Sequence, residues 1–149
     1  MKLSYAIEIN SNPEKVFYWL GDPRRAMEWM TSVTRYEIIN KTPDWIGTTF
    51  SEYIEENGQG TEMRGVVTDF VKNERIGMQL EGDYNSVVVI ITLEEKGGST
   101  RVTYEADVQF RGMLKVMSAA FGGSFKKKIM EQTREEFAKL KELCERETL

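Results

Sequence analysis

The chain has 149 residues, 40% hydrophobic and 30% charged, and a formal net charge of −4. That length suits one domain with one core, the balance excludes disorder, and the acidic excess argues against nucleic acid as a partner. A single cysteine, Cys144, and the absence of histidine exclude an intrachain disulfide, a Ser-His-Asp or Cys-His nucleophile and any His-ligated metal.

Leu3, Tyr5, Ile7 and Ile9 alternate with polar or small residues, the period of a strand with one apolar face. Ser11-Asn12-Pro13-Glu14 then reads as a helix start, with the Ser11 hydroxyl and Glu14 carboxylate placed to cap the first amides of a short helix through Val16, Phe17 and Leu20. Gly21 closes it, and Asp22-Pro23 opens a second short helix ending near Trp29 and Met30.

From Val33 to Phe110, turn residues divide six strands near 33–41, 46–55, 61–71, 75–81, 86–95 and 99–110. In the last, Val102, Tyr104, Ala106, Val108 and Phe110 alternate with polar residues, so one face is buried. From Met113 to about Arg146 the period becomes helical, with Met117, Phe121, Phe125, Ile129, Thr133, Phe137, Leu140 and Cys144 recurring every three or four residues. Lys126-Lys127-Lys128 reads as a solvated helix face, neutralised by Glu131, Glu135 and Glu136. No apolar stretch has signal-peptide or membrane-spanning length, and with one cysteine this points to the cytoplasm and to no stable membrane insertion.

The expected fold is α+β: a seven-stranded antiparallel sheet wrapped around a long C-terminal helix, with two short helices after strand 1, as one domain over residues 1–149. This order resembles the helix-grip domain of the START-like superfamily, and within it the polyketide cyclase/dehydrase and lipid-transport group. The carriers are Asn12-Pro13-Glu14-Lys15-Val16-Phe17, Asp22-Pro23 with Trp29, Ile46-Gly47-Thr48 opening the third strand, Ser99-Thr100-Arg101-Val102-Thr103-Tyr104, and the terminal amphipathic helix. The resemblance implies an internal cavity for an apolar small molecule such as a lipid, isoprenoid or aromatic polyketide. It also implies, as an alternative, a cyclase or dehydrase, and third, a protein-binding domain of the chaperone-activator kind.

Shared apolar parity nominates Trp29, Phe50, Met78, Leu80, Ile91, Tyr104, Ala106, Met117, Phe121 and Phe125 as the cavity lining. The eight methionines include Met63, Met78, Met113, Met117 and Met130, whose thioethers suit varied apolar ligands. The catalytic candidates are Glu52 and Tyr104. Glu52 shares a strand face with Thr48, Phe50 and Ile54, and the two large apolar members suggest that this face is inward; Tyr53 on the opposite face competes for that position, and the outward Glu52 is the favoured of the two open readings. A three-residue loop would put Glu52 opposite Arg64, and a two-residue Asn57-Gly58 turn would put it opposite Met63. No phosphate-cradling glycine motif and no EF-hand carboxylate spacing occurs, so neither cofactor nor metal is expected. Gly122-Gly123 inside a helix needs an explanation: close packing on the sheet comes first, ahead of a kink or a gate formed with Met113, Leu114, Met117 and Phe121. Oligomeric state is left open.

Overall fold

The computed structural model describes residues 1–56 and 59–146. Its elements are β1 (Lys2–Ile9), α1 (Pro13–Leu20), α2 (Pro23–Ala26), β2 (Val33–Asn40), β3 (Thr49–Glu56), β4 (Gln59–Val71), β5 (Arg75–Glu81), β6 (Asn85–Lys96), β7 (Ser99–Phe110) and α3 (Met113–Glu145). Every strand pair is antiparallel, in the order β1-β7-β6-β5-β4-β3-β2. The seven-stranded sheet, the long terminal helix and the two short helices are those the sequence pattern calls for. Among the described residues no helix is long and apolar enough to cross a membrane.

Period-two alternation selects the buried face. Leu3 and Ile9 on β1, Val102, Ala106 and Val108 on β7, Val89, Ile91 and Leu93 on β6, and Ile76 and Leu80 on β5 all turn inward. The second half of α3 closes over them with Thr133, Phe137, Leu140, Leu143 and Cys144. Its C-terminal end is tied to β1 and α1: Ser11 Oγ donates to Cys144 O at 2.8 Å, Lys15 Nζ to Arg146 O at 3.0 Å and Lys141 Nζ to Glu8 O at 3.0 Å.

Four local expectations are corrected. The cap of α1 is Asn12, whose Oδ1 accepts from Lys15 N at 2.9 Å; Ser11 is instead spent on α3. The helix of α2 is a single turn, and Met27 to Trp29 continue as turns. β3 opens at Thr49, not 46, because Trp45 and Gly47 have φ of 70° and 86°, in the left-handed region no strand uses. There Gly47 N donates to Val67 O at 2.8 Å and Thr42 N to Thr48 Oγ1 at 3.0 Å, which seats the loop on β4.

The fourth correction concerns the first half of α3. Phe121 has non-helical angles (φ −126°, ψ 26°) that kink the helix, and most of the segment before it is exposed. Met117 and Phe121, expected inside, are 40% and 61% exposed. A Cβ on Gly122 or Gly123 would meet nothing within 4 Å, so close packing is not what the glycines serve. They follow the kink directly, which favours the bend over the packing explanation.

Candidate functional site

A partly open apolar cavity of about 80 Å³ lies between the α1–α2 region and the β2–β6 part of the sheet. The helices contribute Leu20, Gly21, Pro23 and Ala26, followed by Trp29 and Met30; the sheet contributes Tyr36, Phe50, Glu52, Val67, Phe70, Ile76, Met78 and Ile91; the loop before β3 adds Trp45. Trp29 is held by its own polar atom, since Nε1 donates to Trp19 O at 3.0 Å while the ring packs 5.4 Å from Phe137. Phe50 stacks on Tyr36 at 5.2 Å and lies over Gly65, its partner across the β3–β4 ladder. A Cβ at residue 65 would come within 2.2 Å of that ring, so the glycine makes the seat for Phe50. Trp45 stacks on Phe70, another wall residue, at 5.8 Å.

Glu52 is turned inward, contrary to the outward expectation. The register pairs Glu56 with Gln59 and Glu52 with Met63, and Glu52 is 8% exposed. The turn itself, Asn57-Gly58, lies outside the described residues. Tyr53 takes the outer face, where Arg35 covers its ring at 4.5 Å. Glu52 and Tyr36, opposite each other on β3 and β2, bring the only carboxyl and hydroxyl among the described residues of the wall.

Burial, reinforced by the nearby charge of Glu136, raises the Glu52 carboxyl to about 7, and no hydrogen bond opposes the shift. Glu136 is itself raised by burial, partly offset by donors from the Ser32 and Thr31 amides and from Ser32 Oγ at 3.5 Å. It therefore turns toward β2 and does not serve to neutralise the lysine run. Tyr36 is raised by burial and by Glu52, and Tyr104 is pushed up to about 12 by burial, Glu136 and Glu52. Glu52 and Tyr36 in the wall, and Glu136 and Tyr104 behind it, are thus all shifted toward keeping their protons.

Of the ten nominated lining residues, Trp29, Phe50, Met78 and Ile91 reach this cavity. Leu80 and Ala106 are core residues away from the wall. Tyr104 packs on Phe137 at 5.5 Å and Phe125 lies 6.1 Å from Phe110, so both are occupied in aromatic contacts. Met117 and Phe121 stand in solvent. The reason is common to all six: the cavity lies under α1 and α2 toward β2, not along the first half of α3. Tyr36, Trp45, Phe70 and Glu136 had no signal in strand or helix period. Tyr36 becomes visible only through its register with Glu52, and Trp45 only through its loop.

The sequence matches the family described as polyketide cyclase/dehydrase and lipid transport over residues 1–145. The chain belongs to that family. Comparison with curated proteins gave no match. Among solved structures, this polyketide cyclase/dehydrase and lipid transport family member is similar to a protein from Thermus thermophilus, with 14% identity, 97% of each chain covered and a TM-score of 0.82. It is also similar to the Zhui aromatase/cyclase from a Streptomyces species, with 9% identity over 98% of this chain and 94% of that one and a TM-score of 0.80. A START superfamily protein from Mycobacterium smegmatis follows at 20% identity, with 93% and 92% covered and a TM-score of 0.75. At such identities the likeness carries the fold alone. The cavity of this family member stands on its own side chains.

Proposed function

We propose that the cavity binds a small apolar molecule bearing one polar group, which meets Glu52. The observation that carries this reading is a wall built from aliphatic, aromatic and thioether groups except at one place, where the largely buried Glu52 makes no hydrogen bond among the described residues and keeps its carboxyl accessible to the cavity space. Apolar surface removed from water is worth about 2.5 kcal/mol per 100 Å², and a hydrogen bond to the carboxyl selects among ligands of equal area. Met30 and Met78, unbranched and flexible, let a wall of this size adjust to a ring. The single buried thiol of Cys144 fits a reducing compartment such as the cytoplasm.

Calorimetric titration with phenol and with benzene tests the reading. Phenol should bind at least about tenfold more tightly to the native protein, and Glu52→Leu should abolish that preference. Equal affinities in the native protein would remove the anchoring role, and failure of both to bind would remove the cavity reading.

A second reading, proton transfer of the cyclase or dehydrase kind, is favoured by one observation: a carboxyl in an apolar wall, raised by burial and by Glu136 to about 7. Glu52 would move the proton while Tyr36, opposite, donates to the ligand's oxygen. Deuterium exchange next to the carbonyl of a small ketone should then be faster with the native protein than with Glu52→Gln. Equal rates would leave binding as the whole function.

A further inference from the structure

We infer that the first half of α3 is a docking surface for an anionic lipid bilayer. Met113, Val116, Met117 and Phe121 are 72%, 66%, 40% and 61% exposed. Spacings of three and four residues bring Met113, Val116 and Met117 to one side of the helix, away from the half-buried Leu114 and Ser118. A soluble surface scatters its apolar side chains, whereas four large ones within nine residues form a patch that marks an interaction site.

Charge selects the partner. Every charged residue between Gly112 and Met130 is basic, namely Lys115, Lys126, Lys127 and Lys128, in a chain whose net charge is −4. All four are exposed, and none is in a salt bridge among the described residues. Glu131, Glu135 and Glu136 come only after this stretch, and Glu136 is engaged with Ser32. Apolar side chains flanked by lysines with no intervening acid have the composition of a helix that lies in the bilayer interface, its apolar face among the acyl chains and its cations among the headgroups. A protein partner recognised by the same patch would have to be strongly acidic, and nothing in the fold selects one.

The bend supports the geometry. The non-helical Phe121 and the open space around Gly122 and Gly123 let the first half of α3 lie at its own angle to the half that packs on the sheet. This is peripheral docking and needs no membrane-spanning element. It stands independently of what the cavity binds.

Cosedimentation with vesicles of phosphatidylglycerol and phosphatidylcholine, and with vesicles of phosphatidylcholine alone, tests the inference on the full chain. Binding should occur to the anionic vesicles and be far weaker to the neutral ones. Lys126→Gln, Lys127→Gln and Lys128→Gln combined should weaken it on the order of a hundredfold, at about fivefold per basic residue. Val116→Ser with Phe121→Ser should abolish it while leaving circular dichroism and phenol binding unchanged, since both positions are exposed. No binding to anionic vesicles, or binding indifferent to both sets of substitutions, would overturn the inference. So would a native dimer in analytical ultracentrifugation that Val116→Ser with Phe121→Ser dissociates, because a second copy would then be what covers the face.

Discussion

Replacing Glu52 by Gln removes one titration and little else, because Gln keeps the shape and the polarity of the side chain. In the folded protein the carboxyl is raised to about 7 by burial and by the charge of Glu136, against an ordinary value of 4.5. Below about pH 4.5 it is protonated in both the folded and the unfolded chain, so its ionisation does not distinguish native from variant. As pH rises from about 4.5 to 7 the unfolded chain ionises first, and the folded protein progressively loses stability relative to it. Above about 7 the full cost is present, and a shift of this size corresponds to about 3 kcal/mol. Glu52→Gln should therefore be more stable than the native protein by up to that amount near pH 8, with the difference fading toward pH 4.5. Urea unfolding followed by tryptophan fluorescence at several pH values reads it directly. Glu136 is also raised, so the native curve slopes for two groups, and the difference between the two proteins isolates Glu52 together with its coupling to Glu136. A variant equally stable, or less stable, near pH 8 would refute the inward, unpartnered carboxyl.

Gly122→Ala with Gly123→Ala should raise stability by up to ~2 kcal/mol, since each replacement gains helix propensity and the added methyls meet open space; a fall in the thermal midpoint would mean that the glycines are packed. Gly65→Ala should cost roughly 1–3 kcal/mol and reduce phenol affinity, because the methyl would displace the Phe50 ring that forms part of the cavity wall, and unchanged stability and binding would contradict the seat described for that ring. Cys144 is fully buried, with its thiol raised to about 12 mainly by burial, so it should resist iodoacetamide in the native state and react on unfolding; rapid native labelling would show that the end of α3 opens.

The fold was legible because the strands write their buried face in period two, as Val102 to Val108 do, and because α3 changes the period to that of a helix. What period could not say is where the helix bends. Met117 and Phe121 continue the helical row of Phe137 and Leu140, yet the kink at Phe121 leaves them exposed. Glu52 was ambiguous for a related reason: Glu52 and Tyr53 are both plausible inward residues, and only the register with Met63 and Gln59 decides between them. Tyr36 and Trp45 reach the cavity through pairing and through a left-handed loop residue, neither of which leaves a composition signal. Glu136 lies in a charged stretch of α3 and looks like a surface residue until the turn before β2 brings Thr31 and Ser32 to it.

The central claim, a ligand seated between α1–α2 and the sheet beside Glu52, is tested most directly by methyl NMR of methionine-labelled protein during titration with phenol. Met30 and Met78 line the cavity, whereas Met113 and Met117 lie on the exposed half of α3. The account predicts saturable shifts of the Met30 and Met78 methyl signals, with those of Met113 and Met117 unmoved. Shifts confined to Met113 and Met117 would place the ligand on the outside of the helix and contradict the account.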